Sequence, residues 1–193
     1  MKTRSSCFIV VMIAALLIIS PIAAFGDVTD DLMEACFSKK TTSSDIQALI
    51  DNGANVNARS KNGWTVLMHA CTYNTDPYVI EKLVNAGADV NAVLENGASV
   101  LMLAARYSAN PNIIRVLVNA GADINAKDNE GLAAKNYALR NGKCGLDVIK
   151  AIGGQDSDLA TYSLFHMNEN TTLDQVKYLL QRGADVNARA SLR

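Results

Sequence analysis

The sequence predicts an all-α solenoid of about five stacked helix-turn-helix units with short turn fingers, and three observations carry that reading. The block Gly53-Ala54-Asn55-Val56-Asn57-Ala58 returns as Gly87-Ala88-Asp89-Val90-Asn91-Ala92, as Gly121-Ala122-Asp123-Ile124-Asn125-Ala126 and as Gly183-Ala184-Asp185-Val186-Asn187-Ala188. The first three starts are 34 residues apart (87 − 53 and 121 − 87). A second block, Asn62-Gly63-Trp64-Thr65-Val66-Leu67-Met68, returns as Asn96-Gly97-Ala98-Ser99-Val100-Leu101-Met102 at the same step. Two interleaved motifs in one period mean stacked supersecondary units, none of which buries its apolar side alone.

Each unit can be built residue by residue. Asn-Gly marks a tight turn, because glycine tolerates a positive φ. Thr65 and Ser99 follow as helix N-caps. A first helix then runs through Leu67 and Ala70, or Leu101 and Ala104, with small residues where a neighbour comes close. Asp76-Pro77 and Asn110-Pro111 open the second helix with a side-chain acceptor and a proline at its first position. In the outer units, Ser44…Gln47 and Thr172…Gln175 have capping-box spacing. Ile80, Leu83 and Val84, like Ile46, Leu49 and Ile50, fall at helical spacing. Gly53, Gly87, Gly121 and Gly183 then stop the helix.

These blocks resemble the ankyrin repeat: a turn glycine, Thr-Pro-Leu-His-x-Ala, a second helix, then Gly-Ala-Asp-Val-Asn-Ala. The resemblance spans nearly all of 27–193 and implies an ankyrin-repeat solenoid. Its units are a cap at 27–58, full repeats at 59–92 and 93–126, a degenerate unit at 127–158 and a closing unit at 159–193. Val66 and Val100 stand where the family has proline, and Met68 and Met102 where it has histidine, so the hydrogen bonds of that histidine are not expected here. The fourth unit keeps Gly131, Tyr137 and Ala138, but Gly153-Gly154 replaces its closing block. The step from Gly121 to Gly183 is 62 residues, six short of two periods, so a finger is missing between units four and five. The last unit ends in half a finger, 187–193.

Ahead of the repeats, Lys2 and Arg4 precede an uncharged apolar run at 8–19, Ser20-Pro21 breaks it, and Ala24-Phe25-Gly26 offers small residues around a cut. That order is a secretory signal peptide at 1–26, which predicts an exported protein, periplasmic or secreted after cleavage near Gly26. Extended to Phe25 the run reaches 18 residues, so an uncleaved membrane anchor is the alternative, and membrane contact is expected only then. Cleavage would leave 193 − 26 = 167 residues with 16 basic and 19 acidic side chains, a net charge of −3. That excludes the basic field a nucleic-acid binder needs. Cys36, Cys71 and Cys144 remain, an odd and widely spaced set that does not form a disulfide framework. Cys36 and Cys71 occupy matching places one repeat apart. Packed helices stand about 8–10 Å apart and a disulfide needs Cα atoms within about 7 Å, so both are expected as buried free thiols.

No catalytic constellation, metal site or cofactor motif emerges. His69 and Cys71 are two apart on one helix and point to different faces, so they cannot share an ion, and His166 has no ligand partner at spacing. His69 is expected to pack between helices. Gly142-Lys143 lacks the glycine of a phosphate loop, since Tyr137 stands five residues earlier. The Asp and Asn residues fall at turns and caps.

A stacked solenoid offers a long concave surface to a protein partner. The resemblance implies contacts from the finger tips and the exposed end of each first helix. Carried over by repeat position, these are Arg59, Lys61, Trp64 and Tyr73, then Glu95, Arg106 and Tyr107, then Leu132 and Arg140. Trp, Tyr and Arg dominate interface energetics. The expected function is binding a protein, for example an exported enzyme that it would protect or inhibit. A membrane-anchored tether is the alternative, and an enzyme whose site only the fold assembles is the remote one.

Overall fold

A computed structural model describes residues 28–140, 146–167 and 172–188. These residues form ten helices and no strand. In order they are α1 (Val28–Cys36), α2 (Ser43–Asp51), α3 (Val66–Tyr73), α4 (Pro77–Asn85), α5 (Val100–Tyr107), α6 (Pro111–Asn119), α7 (Ala134–Arg140), α8 (Leu146–Ala151), α9 (Asp156–Phe165) and α10 (Leu173–Gln181). The N-terminal segment 1–26, Cys144, Gly142-Lys143 and the half-finger beyond Ala188 lie outside the described residues.

The helix starts follow from their caps. Thr65 and Ser99 accept from the N–H three residues on, at 3.2 and 3.3 Å, and open α3 and α5. Asp76 and Asn110 accept from Tyr78 and Asn112, each at 3.0 Å, and a proline follows each cap. Such a side-chain cap stabilises a helix by about 1 kcal/mol. Thr172 and Gln175 form the capping box of α10 as spaced. At α2 the expectation fails. Ser44 and Gln47 lie inside the helix, Gln47 donates to Asp51, and the box is Thr42 with Asp45. Serines at 43 and 44 are equally good caps by type, but at Thr42 the Asp45 carboxylate accepts from both the N–H and the hydroxyl, at 2.9 and 2.8 Å.

First helices α1, α3, α5, α7 and α9 pack side by side in one row, and α2, α4, α6 and α8 form a second row behind them. The middle of the inner row is the most enclosed: α3 buries all of 66–71 and α5 all of 100–105, whereas α1 buries only Leu32 and Cys36. Leu67, Met68, Leu101 and Met102 contribute about 1.5–3 kcal/mol each by leaving water, and Ala70, Ala104 and Ala138 let the helices close up. The outer row buries one stripe only: Ile80 and Leu83, then Ile113, Ile114 and Leu117.

The repeated Asn of the closing block is a tie between units. Asn57 donates to Gly87 O at 2.9 Å and accepts from Asp89 N at 2.8 Å; Asn91 does the same with Gly121 O and Asp123 N, at 3.1 and 2.9 Å. The missing finger between units four and five breaks this ladder. Asp185 N turns instead to Thr161 Oγ1 at 2.8 Å, the bond that Asn55 N makes to Thr29 at the first unit. The fifth unit is thus bonded as a new start. Its first helix begins at Asp156, ahead of the 158/159 boundary, because Gly153-Gly154 turns the chain directly out of α8.

Candidate protein-interaction face

Each finger is closed by its own backbone, and Arg59 and Asn129 tie one finger to the next. Isolated antiparallel bridges pair Arg59 with Thr65 and Val93 with Ser99. The Arg59 guanidinium donates to Gly63 O at 2.9 Å and to Val93 O at 3.1 Å, which ties the second finger to the third. Asn129 ties the next pair: its N–H reaches Asn96 O at 3.0 Å and its amide reaches Glu95 O at 3.2 Å. Gly97 is required at this junction. Its φ is +80°, and a Cβ there would stand 2.8 Å from Asn129 Oδ1 and 2.9 Å from Asn129 N.

Behind the fingers, the first helices present an aromatic cluster. The His69 ring lies 4.3 Å from Phe37, 5.1 Å from Trp64 and 6.3 Å from Tyr73, centroid to centroid. His69 is buried between the helices as expected, and neither ring nitrogen has a hydrogen-bond partner. Burial holds its pKa below the ordinary 6.5. Phe37 and Tyr73 expose 46% and 41% of their surface, so the cluster has a solvent-facing rim.

Trp64 also walls a cleft of about 450 Å³ that runs on to Arg106, Tyr107, Asp128, Tyr137 and Arg140. The Arg106 guanidinium lies over the Tyr107 ring, 5.5 Å from its centroid. Asp128 organises the floor. One carboxylate oxygen accepts from Glu130 N and Leu132 N at 2.9 and 2.8 Å, and the other from the Tyr137 hydroxyl at 2.5 Å. Burial pushes the Asp128 carboxyl up, but the Tyr137 hydroxyl, the two N–H groups and Arg140 together outweigh it, and the net shift is downward. Burial, then the bond to Asp128, pushes the Tyr137 phenol up to about 12. Asp128 stays charged and Tyr137 stays protonated at neutral pH, which fixes the cleft wall.

The structure sorts the residues expected on this face. Trp64, Arg106, Tyr107 and Arg140 meet at the cleft, and Tyr73 joins through the aromatic cluster. Glu95 and Lys61 are exposed on their fingers outside that cleft. Arg59 is exposed but occupied by the finger tie, and Leu132 is half-buried against the core rather than turned to solvent. Trp64 is half-buried too, so it supports the face as much as it displays one. Phe37, Asp128 and Tyr137 were not foreseen. Phe37 follows the last turn of α1, where nothing local marks it. The Asp128–Tyr137 pair joins a finger to a helix nine residues on, and only the turn sequence Asp128-Asn129-Glu130-Gly131 hints at it. Among the described residues no cluster of His, Cys, Asp and Glu could hold a metal ion, and no helix is long and apolar enough to cross a membrane.

The family model described as Ankyrin repeats (3 copies) matches residues 32–128 and, overlapping, 71–162. Together these span 162 − 32 + 1 = 131 of 193 residues, and the chain belongs to the ankyrin-repeat family. Ankyrin repeats are protein–protein interaction modules, and the family typically serves as a non-catalytic scaffold. No curated protein matches the chain.

Proposed function

We propose that this protein is an exported binding module that holds a protein partner on the concave face formed by its fingers and first helices. The observation that carries the reading is the convergence of Trp64, Arg106, Tyr107 and Arg140 on one cleft, with Phe37 and Tyr73 continuing the aromatic surface beside it. Partly exposed aromatic rings beside a guanidinium are the composition of an interface hot spot. The rigid wall that Asp128 and Tyr137 give this cleft reduces the ordering cost of binding. A partner of the exported compartment, such as an enzyme to be protected or inhibited, fits the basic, apolar, small-residue order at 1–26.

Two measurements test the reading. The N-terminus of the protein from its native compartment should be Asp27; a full-length species in the membrane fraction would instead favour the tether. Affinity capture from cell-envelope extract should be run in parallel with the parent protein and with Arg106→Glu. A partner on this face is retained by the parent and lost by the variant. A partner held equally by both lies elsewhere.

A further inference from the structure

Helix α10 is built like its counterparts but is not covered like them. Counting back from the closing glycine, Val176 and Leu179 of α10 match Ile80 and Leu83 of α4 and Ile114 and Leu117 of α6, which are fully buried. Val176 and Leu179 are only half-buried, and no residue of α10 is buried. Leu180, the counterpart of Val84 and Val118, is 43% exposed, and Leu173 is 67% exposed. Val186 on the finger is 58% exposed where Val56 is 9% exposed. Among the described residues an apolar stripe is thus exposed along α10, which marks a place of association.

The spacing along α10 selects the occupant. Leu173 and Leu180 are seven residues apart, two turns along one side of the helix. Lys177 and Asp174 follow on the same flank of that stripe, and Tyr178 is engaged on the opposite side by Arg182, whose guanidinium donates to its hydroxyl at 2.7 Å. A two-fold axis crossing α10 midway between Val176 and Lys177 therefore sets Leu173 of one copy against Leu180 of the other, in both directions. It brings Lys177 to within about 3 Å, measured along the axis at 1.5 Å per residue, of Asp174 in the second copy. It also runs the two helix dipoles antiparallel. Apolar residues meet apolar residues, and opposite charges meet on the flank.

We propose that α10 is a homodimerisation helix, pairing with α10 of a second copy around this axis, with Val186 extending the contact. The closed two-fold arrangement stops at two copies. A helix of nine residues is about 13 Å long and falls short of the surface that obligate dimers bury, so the association is reversible and dissolves on dilution.

The test is sedimentation of the full-length protein, in the form its host recovers it, from about 1 to about 200 μM. The weight-average mass should climb from monomer toward dimer and no further. Leu180→Asp, and independently Leu173→Asp, should raise the midpoint concentration at least about ten-fold, while thermal melting stays unchanged because both positions are exposed. Lys177→Asp alone and Asp174→Lys alone should each remain monomeric, and an equimolar mixture of the two should regain a dimer. That rescue can only come from pairing between chains. The proposal is overturned by a parent that stays monomeric at the highest concentration, by growth beyond two copies, by leucine variants that associate like the parent, or by a mixture no better than its components.

Discussion

At Thr65 and Ser99 the backbone N–H that opens a first helix meets sulfur: Met68 Sδ at 3.5 Å and Met102 Sδ at 3.3 Å. The family histidine is gone from both places, and a thioether closes the capping box in its stead. A thioether is a weak acceptor, yet the alternative is a buried N–H with none. Met102→Leu keeps the volume and removes only the acceptor, so it should lower unfolding free energy by about 1 kcal/mol in urea titration. Met33 holds the matching place in α1, but Asp30, the counterpart of Thr65 and Ser99, is exposed, so water can serve its N–H and Met33→Leu should cost clearly less. Equal losses at the two positions would rule out the sulfur cap. His69 gives a pH signature at the same scale. In the unfolded chain the imidazole takes up a proton as pH falls through about 6.5, whereas burial opposes this in the fold. The unfolded state then binds more protons, and stability falls as pH drops below that value, by at most about 1.4 kcal/mol per pH unit. Chemical unfolding at pH 7.5 and 5.5 should therefore show a smaller pH penalty in His69→Phe than in the parent. An identical penalty would show that other groups carry it.

At the scale of the elements, the fingers supply the sharpest contrast. Gly63 and Gly97 hold the same turn position, with φ of +77° and +80°. Nothing stands within 4 Å of a Cβ added at Gly63, whereas at Gly97 the Asn129 backbone and side chain block it. Gly63→Ala should cost only the left-handed strain, about 1 kcal/mol. Gly97→Ala must also push the fourth finger off the third, and should cost about 2 kcal/mol or more. Equal destabilisation of the two variants would mean that the Asn129 contacts carry no energy. The two turns look alike in the sequence, and only the structure separates them. The same is true more widely. Asn-Gly turns, Asp-Pro and Asn-Pro helix starts and the closing glycines are local chemistry, so the period and the helices could be read from residues alone. What escaped is tertiary or degenerate. Three adjacent hydroxyl residues competed to cap α2, Phe37 met His69 only across a helix pair, and Asp128 found Tyr137 only once the finger folded back. The buried free thiols Cys36 and Cys71 were legible because their places repeat, and burial pushes both thiol pKa values up.

For the whole molecule, the division between a repeating interior and a varying face sets the last prediction. Gly87 belongs to the interior scheme: its φ is +89° with open space beside it, so Gly87→Val acts by backbone strain alone and costs about 1 kcal/mol or more. It should lower the melting temperature yet leave the affinity of the folded protein for its captured partner unchanged. Tyr107 and Tyr73 belong to the face, at 47% and 41% exposure. Truncating either removes little that the fold needs. Tyr107→Ala gives up the ring beneath Arg106, and Tyr73→Ala gives up the rim over His69. Both variants should melt close to the parent, and at least one should weaken partner binding by about 2 kcal/mol, roughly thirty-fold. Trp64 is the wrong residue for this purpose, because it stacks on His69 and packs against the core, so its removal mixes stability with affinity. The measurement is a melting curve and a binding titration on the same three variants. Two tyrosine variants that bind like the parent would move the interface off the first-helix face. A Gly87→Val that loses affinity while folded would mean the closing turns themselves touch the partner.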